Sequence, residues 1–232
     1  MSNFANDVIC YNGIYWPKKD TNGEELTSTY APKASTAFNL MHITGHTPEI
    51  ISNLTTTKNV IVQAGGNAGY YPKLYSQWFS HVYTFEPDPL NFYCLSLNCN
   101  TPNVHKFQTC LGSKNECVGV FNTTISLGHG GTHVSGTGYI PTLMIDQLNL
   151  PDCNLIHLDV EGYEENVLHG AEQTIKKYRP VIVIEYYPPW LNRYNTNIDK
   201  IDAFLLTLGY KFNSSIDASN DRVYKYAGID IA

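Results

Sequence analysis

The sequence contains few charged residues and no concentration of positive charge. Asp, Glu, Lys and Arg make up 16% of the 232 residues, and the formal net charge at pH 7 is −6. Proteins that bind duplex nucleic acid need clusters of Lys and Arg that contact the phosphates. We therefore expect no duplex nucleic acid as a partner. Because 43% of the residues are hydrophobic, we expect a globular chain.

The sequence also lacks a long hydrophobic segment. No run approaches the roughly 18 apolar residues that a membrane-spanning helix needs. The first residues, Met-Ser-Asn-Phe-Ala-Asn-Asp, have neither the basic nor the apolar part of a signal peptide. These observations predict a cytoplasmic protein without a membrane partner.

A C-x-x-C pair is absent as well. The six cysteines are Cys10, Cys94, Cys99, Cys110, Cys117 and Cys153. Several of them stand beside apolar residues, where a cysteine usually acts as a small buried hydrophobe. We expect free thiols and no zinc site.

The glycine motif at residues 65–69 is neither the dinucleotide fingerprint G-x-G-x-x-G nor a phosphate-binding loop. A β-branched run at residues 60–62 precedes it and predicts a buried strand. The apolar residues that follow recur with helical spacing: Tyr71, Leu74, Tyr75 and Trp78. A strand, a glycine turn and a helix in this order are typical of the ligand site of a doubly wound fold. A tight structural turn would give the same local pattern.

An acidic residue ends the next predicted strand. Glu86 follows the apolar run of residues 82–85 and lies 21 positions after Gly65. This is close to the spacing of about 20 residues at which a carboxylate holds the hydroxyls of a ribose. A solvated acid at a strand end is the alternative interpretation.

From residue 60 onward, predicted strands alternate with predicted helices. The strands cover residues 60–62, 82–86, 104–111, 118–123, 154–160 and 181–185, and the helices cover 71–78, 90–98, 164–178 and 199–208. Residues 210–212 and 222–226 are expected to pair as antiparallel strands. The alternation predicts an α/β protein with a doubly wound, mostly parallel sheet and helices on both faces.

Two segments lie outside this alternation. Residues 1–57 are expected to form an N-terminal arm and covering helices of the same domain, with a hairpin or an extended arm in 1–34 and helix in 35–53. Residues 58–232 form the Rossmann-like part. Five glycines in residues 126–138 predict either a mobile loop over an active site or a surface hairpin without a role.

Acidic residues stand at several predicted strand ends, and ligands of such sheets bind at that edge. Glu86, Asp159, Glu161 and Glu185 have these positions. An acidic edge does not suit a phosphate-rich ligand, but it suits a cationic one, such as a sulfonium that also carries an ammonium group and a ribose. The aromatic run at 186–190 would suit a sugar ring, although such clusters more often serve packing.

Several segments together resemble the FkbM-type methyltransferases. They are residues 62–69, 84–89, 158–164, 168–171 and the strand at 180–185. The resemblance implies an S-adenosylmethionine-dependent methyltransferase of class I, with a Rossmann-like, seven-stranded sheet whose last strand is antiparallel. It also implies O-methylation of a hydroxyl on a small molecule or a sugar.

The resemblance further implies a set of cofactor-binding residues. The glycine turn would lie under the methionine part of the cofactor, the acid after the second strand would hold the ribose, and the end of the third strand would line the adenine. In chain order these residues are Gln63, Ala64, Gly65, Gly66, Asn67, Gly69, Glu86, Pro87, Cys110, Leu111 and Gly112, with Asp159 near the transferred methyl group. Gln63 stands where the family usually has an acid, so we expect a weaker attraction for the ammonium group.

A hydroxyl acceptor benefits from a base that takes its proton. Asp159 and Glu161 are the first candidates, Glu185 is the second, and a histidine of the glycine-rich segment, His129 or His133, is the third. Asp159 and Glu161 would alternatively cap the following helix. Asp159 and Glu185 offer oxygen ligands that suit a divalent metal, but we assign no metal site from the sequence.

Two other functions remain open at this stage. Gln63 favours a catalytically silent protein that keeps the fold and binds the cofactor or acts as a scaffold. A nicotinamide-dependent oxidoreductase is the other alternative, but the missing G-x-G-x-x-G and the acidic strand ends argue against it.

Overall fold

The structure is a computed structural model, and it describes residues 4–11, 13–17, 47–122, 132–216 and 221–228. The predicted arm at 1–34 is therefore described only in part, and the predicted helix at 35–53 only from residue 47. His129 and the rest of residues 126–131 also lie outside the described residues. In the described part of residues 1–34, an antiparallel hairpin is present.

The described strands are numbered here in chain order. They are β1 (Val8–Tyr11), β2 (Ile14–Pro17), β3 (Val60–Ala64), β4 (His81–Phe85), β5 (Val104–Phe107), β6 (Cys110–Leu111), β7 (Cys117–Asn122), β8 (Thr132–Thr137), β9 (Ile140–Leu143), β10 (Leu155–Leu158), β11 (Val181–Ile184), β12 (Tyr210–Ile216) and β13 (Asp221–Tyr226).

The described helices are α1 (Thr47–Ser52), α2 (Tyr70–Tyr75), α3 (Pro89–Asn98), α4 (Glu164–His169), α5 (Glu172–Tyr178), α6 (Pro188–Leu191) and α7 (Ile198–Thr207), with short 3-10 turns at Phe4–Asn6, Ile145–Gln147 and Asn192–Tyr194. Over the described ranges, every helix is too short or too polar to cross a lipid bilayer.

The central sheet has seven strands in the order β12, β13, β11, β10, β3, β4, β5. The five strands from β11 to β5 are parallel, whereas β13 is antiparallel to both β11 and β12. This arrangement confirms the predicted α/β class, the seven strands and the antiparallel last strand. It also confirms the predicted pairing near the C-terminal end.

Strand β3 lies at the centre of the sheet because both of its faces are apolar. All five of its residues are buried. Val60, Val62 and Ala64 pack in the larger hydrophobic cluster, whereas Ile61 packs in a second cluster on the other face. A strand covered on both sides has no polar alternation, which explains why the run of β-branched residues predicted it correctly.

The predicted third strand at 104–111 proved to be two strands in different sheets. β5 completes the edge of the central sheet, and β6 pairs in parallel with β9. β6, β9, β7 and β8 form a separate four-stranded sheet. The described part of the glycine-rich segment therefore contains a strand of a hairpin, β8, paired with β7.

The predicted helix at 164–178 is also interrupted. It consists of α4 and α5, which meet at Gly170 and Ala171. A Cβ at Gly170 would overlap the backbone oxygen of Gly112, so the helix pair packs closely against the end of β6. The predicted core face is confirmed, because Val167, Leu168, Ala171 and Ile175 are fully buried.

Helix α3 buries a different face from the one predicted. Phe92, Leu95 and Leu97 were the expected apolar residues, but Leu97 is exposed and Phe92 only partly buried. The buried residues are Asn91, Cys94, Leu95 and Asn98. The two buried asparagines have hydrogen-bond partners: Asn98 bonds to the backbone of neighbouring segments, and the Asn91 side chain bonds to Glu86.

The N-terminal hairpin packs on α3 through Asn98. The Asn98 side-chain amide donates to the carbonyl oxygens of Tyr15 (2.8 Å) and Ala68 (2.6 Å), and its oxygen accepts from the Tyr15 backbone N–H (2.8 Å). Ile14 and Trp16 are buried in a small cluster with Ala68 and Cys94. The side chain of Asn98 thus connects the hairpin, α3 and the glycine turn.

Candidate functional site

The glycine turn lies against the ends of two neighbouring strands. The backbone N–H groups of Gly65 and Gly66 donate to the carbonyl oxygen of Phe85 (3.1 and 2.8 Å). Gly65 has a φ of +83°, and a Cβ there would overlap the backbone oxygen of Asp159. Only glycine combines this conformation with such a close backbone approach. The turn therefore joins the ends of β4 and β10.

Gln63 is turned into the protein beneath this turn. Its side chain is buried, and its amide group donates to the carbonyl oxygens of Ala64 (3.2 Å) and Gly65 (2.9 Å). Its oxygen accepts a bond from the Thr84 hydroxyl (2.6 Å). These contacts hold the turn from below.

Glu86 follows β4 and fixes the loop on the other side of the turn. One carboxylate oxygen accepts from the Asn67 backbone N–H (2.7 Å), and the other accepts from the Asp88 backbone N–H (2.9 Å). Asp88 in turn caps α3 through the N–H groups of Leu90 and Asn91. Burial raises the pKa of Glu86 from 4.5 to about 7, although the backbone hydrogen bonds oppose this shift.

A cleft opens at the carboxyl ends of β3, β4 and β10. Its lining residues are Ala64, Gly65, Phe85, Glu86, Pro87, Thr109, Cys110, Leu111, Thr132, His133, Val134, Asp159, Val160 and Tyr163. Some of the lining residues belong to the ends of the central strands, and others belong to β6 and β8 of the second sheet.

Three carboxylates meet beside the cleft. Each of Asp159, Glu161 and Glu185 offers an oxygen atom, and these atoms lie within 4.8 Å of one another. Asp159 and Glu185 directly follow the neighbouring parallel strands β10 and β11, so the sheet itself brings them together. Asp159 is the member that also lines the cleft.

A tight turn after β10 directs Glu161 toward the other two acids. Glu161 has a φ of +57° and Gly162 a φ of +99°. Glu164 closes the turn, because one of its oxygens accepts from the backbone N–H groups of Val160 (3.1 Å) and Gly162 (3.2 Å). No side chain caps the start of α4, so Asp159 and Glu161 do not have the helix-capping role considered as an alternative.

The pKa of each member of the acidic cluster is raised, with burial as the largest cause. Burial raises the pKa of Asp159 to about 6, and a hydrogen bond with Glu185 opposes this shift. Burial, with Asp159 and Glu164 nearby, raises the pKa of Glu161 to about 9, while Arg193 lowers it. Burial and the neighbouring acids keep the pKa of Glu185 well above its usual range.

The sequence matches one family model over residues 63–212, which is more than half of the chain. The model describes the methyltransferase FkbM domain. The chain belongs to the FkbM methyltransferase family. This confirms the resemblance inferred from residues 62–185: the family comprises S-adenosylmethionine-dependent methyltransferases of class I, and S-adenosylmethionine is its cofactor.

Solved structures with similar folds include the FkbM methyltransferase from Methylobacillus flagellatus KT, at 16% identity and a TM-score of 0.50. That comparison covers 82% of this chain and 54% of the other, so this chain spans about half the length of that relative. At this identity the likeness shows the fold alone. No curated protein matches the sequence.

Two further structures have lower TM-scores. A TehB-like SAM-dependent methyltransferase from Corynebacterium glutamicum is 11% identical, with a TM-score of 0.48 and coverage of 86% of this chain and 96% of the other. M. jannaschii TYW2 in complex with AdoMet is 12% identical, with a TM-score of 0.43 and coverage of 94% and 85%.

In this FkbM domain, some of the residues expected to bind the cofactor line the cleft, and the others lie behind the lining residues or next to them. Those in the cleft wall are Ala64, Gly65, Glu86, Pro87, Cys110, Leu111 and Asp159. Those outside the wall are Gln63, Gly66, Asn67, Gly69 and Gly112. Asn67 nevertheless bonds to Glu86, and Gly69 packs closely against α3.

Some of the candidate bases line the cleft and others do not. Asp159 lines the cleft, whereas Glu161 and Glu185 lie in the acidic cluster beside it. His133 lines the cleft, and His129 lies outside the described residues. Sequence reasoning missed the other lining residues: Phe85, Thr109, Thr132, Val134, Val160 and Tyr163. Phe85 and Val160 adjoin predicted residues, so proximity to a strand end is a signal that would have found them.

Proposed function

We propose that this protein transfers a methyl group from S-adenosylmethionine to a hydroxyl of a small molecule or a sugar. The observation that carries the proposal is the position of Asp159, which belongs both to the wall of the cleft that contains Glu86 and to the acidic cluster. A cofactor site and a proton acceptor therefore adjoin at one residue.

The residues of the cleft fit the chemistry of the cofactor. Each Glu86 oxygen accepts one backbone N–H and keeps acceptor capacity for a ribose hydroxyl. Cys110 and Leu111 supply an apolar surface for the adenine, and Gly65 also lines the cleft, where the methionine part would lie. Acidic groups at the edge suit a cation. When bound, the cofactor supplies an electrophilic methyl group on its sulfonium.

Asp159 is the candidate base. A pKa of about 6 keeps its carboxylate mostly ionised at neutral pH, yet close enough to neutrality for efficient proton transfer. Its hydrogen bond with Glu185 provides a route by which the proton could be shared within the cluster. A positioned base of this kind contributes about 10²–10⁴-fold to the rate.

The acceptor would enter between the two sheets. Thr132, His133 and Val134 of β8 line the cleft together with Tyr163. The Tyr194 hydroxyl donates to the Val134 carbonyl oxygen (2.7 Å), which holds β8 close to the site. Outside the cleft, Tyr187 and Trp190 make an edge-to-face pair with ring centres 5.0 Å apart. This pair offers an aromatic surface for a sugar.

A catalytically silent cofactor-binding protein is the second candidate, and Gln63 favours it. Its amide is fully occupied by the backbone and by Thr84, so it offers no charge to the ammonium group of the cofactor. Such a protein would bind the cofactor without turnover.

Calorimetric titration with S-adenosylmethionine and its demethylated product tests the first step of the proposal. We expect binding of both, and a loss of binding in Glu86→Ala and Glu86→Gln. Glu172→Gln is the control, because Glu172 is only partly buried and forms an ion pair with Lys176 on the next turn of α5. If the intact protein binds neither compound, the proposal fails.

Turnover separates the two candidates. Screening of hydroxylated small molecules and sugars, with the demethylated cofactor as the measured product, should identify an acceptor. Asp159→Asn should then lower kcat about 10²-fold or more while cofactor binding persists. Cofactor binding without product, over sugars, polyketides and phenols alike, would support the silent protein.

A further inference from the structure

We propose that Asp159, Glu161 and Glu185 bind a divalent metal ion with hard-ligand preference, Mg²⁺ or Mn²⁺. The binding site rests on geometry that the chain provides independently of methyl transfer. Its use in catalysis, argued below, rests on the proposed function.

The spacing of the three carboxylates fits such an ion. Their oxygen atoms lie within 4.8 Å of one another. Around an ion with metal–oxygen distances of about 2.1 Å, ligand oxygens are separated by roughly 3 to 4.2 Å. Small side-chain movements would therefore bring all three oxygens into one coordination shell.

Unpaired buried oxygens at the cluster are a separate indication of a missing partner. Glu161 is only 7% exposed, and its Oε2 atom has no hydrogen-bond partner among the described residues. The Oε2 atom of Glu185 is also buried and has no hydrogen-bond partner among the described residues. Buried polar atoms are nearly always hydrogen-bonded, because an unpaired buried acceptor is costly. A metal ion would pair both oxygens.

No side chain in the described ranges forms an ion pair with the three acids. Arg193 is close enough to influence Glu161, but within those ranges it forms no ion pair with any of the three acids. Its guanidinium instead stacks on the Trp190 ring, 3.7 Å from the ring centre. Glu164 brings a fourth acid, whose Oε2 atom is also buried and unpaired in this part of the chain. When ionised, these carboxyl groups favour a bound cation, because no ion pair in the described ranges neutralises them.

The location suggests what the ion would do. Because Asp159 also lines the cleft, an ion held here could take the acceptor hydroxyl as a further ligand. Coordination would lower the pKa of the bound hydroxyl group, and the Asp159 oxygen that does not bind the ion would accept its proton. The acidic cluster would then select acceptors that carry a hydroxyl able to reach the ion.

The test is Mn²⁺ binding to protein freed of metal with a chelator, followed by the paramagnetic resonance signal of the free ion. We expect one bound Mn²⁺ per chain, displaced by Mg²⁺. The double variant Glu161→Gln with Glu185→Gln should lower the affinity about 100-fold or more. Glu172→Gln should leave the Mn²⁺ affinity unchanged, because Glu172 is not a member of the acidic cluster. Unfolding curves of each variant check that the fold persists.

The same titration with Asp159→Asn provides a second, single-site variant in case the double variant does not fold. Absence of Mn²⁺ binding up to about millimolar concentration, or affinity unchanged in both variants, would overturn the proposal. If only the proposed function is wrong, the results differ: Mn²⁺ binds as expected, but S-adenosylmethionine does not bind. Methyl transfer that persists in chelator, together with absent Mn²⁺ binding, would leave the function standing and remove the metal.

Discussion

The Thr84 hydroxyl donates a 2.6 Å hydrogen bond to the side-chain oxygen of Gln63, and so links β4 to β3 directly below the glycine turn. The amide nitrogen of Gln63 is occupied at the same time by the carbonyl oxygens of Ala64 and Gly65. Both ends of this side chain are therefore engaged. Here an amide fits where a carboxylate would not, because a carboxylate has no donor.

We expect Gln63→Glu to destabilise the protein instead of improving cofactor binding. The new carboxylate would face two carbonyl oxygens, which costs about 1–3 kcal/mol of unfolding free energy. Urea denaturation measures the loss, and calorimetry measures affinity for S-adenosylmethionine. Gln77→Glu, at an exposed position, serves as the control. Tighter cofactor binding at unchanged stability would contradict the prediction.

Gly65→Ala should cost much more stability than Gly136→Ala. Both glycines have positive φ, +83° and +63°, so both substitutions strain the backbone. Only at Gly65 does the added Cβ overlap another segment, at the Asp159 backbone oxygen, whereas nothing lies within 4 Å at Gly136. We expect about 1–2 kcal/mol at Gly136 and more than about 3 kcal/mol at Gly65. Equal losses in denaturant unfolding would refute the close packing of the turn.

Glu86 should make the stability of the cofactor-free protein fall as the pH rises. Its folded pKa is about 7 against an ordinary 4.5, so the folded state keeps a proton that the unfolded state releases first. The contribution is complete below about pH 4.5 and lost as the pH rises through 7. The difference between the two pKa values corresponds to about 3 kcal/mol.

Glu86→Gln removes the titration of Glu86, so comparison with the wild type separates the contribution of Glu86 from that of the other acids. Urea unfolding of both proteins at several values between pH 5 and 8 gives the two pH profiles. The difference in stability between the wild type and Glu86→Gln should shift by about 2.5 kcal/mol against the wild type between pH 5 and 8. Parallel profiles would mean that the pKa of Glu86 is not raised.

Asn98→Ala should release the N-terminal hairpin from the domain. The substitution removes the three hydrogen bonds that join Asn98 to Tyr15 and Ala68 and leaves backbone groups unpaired, at a cost of about 1–3 kcal/mol or more. Hydrogen exchange should accelerate in residues 8–17 before the central sheet is affected. Asn100→Ala, at an exposed neighbouring position, should leave the exchange unchanged.

The central sheet and the cleft were predictable because their signals are local. The glycines of the turn directly follow the buried run at 60–62, and Glu86 directly follows its own apolar run at 82–85. Glu86 and Gly65 do line the cleft, and Asp159 and Glu185 do meet, since parallel strands end at a common edge.

The errors arose where a distant segment decided the local structure. Residues 104–111 read as one strand because nothing in them indicates that β6 pairs with β9, more than 30 residues later. The break between α4 and α5 depends on contact between Gly170 and Gly112. Asn98 was not recognised as buried because its partners, Tyr15 and Ala68, come from other parts of the chain.

The pairing of β6 with β9 has a consequence for how this domain can change. Cys110 and Thr142 are register partners on adjacent strands, so the backbone leaves and returns within about one interstrand spacing, roughly 4.8 Å. The entropy of closing such an excursion grows only slowly with its length. A change of chain length between β6 and β9 would thus put little strain on the strands that carry Glu86 and Asp159. Under the proposed function, the segment between β6 and β9 would determine which acceptor is preferred, whereas the central sheet would carry the residues for methyl transfer. Exchanging that segment for another would then change the acceptor preference and leave the methyl-transfer residues in place.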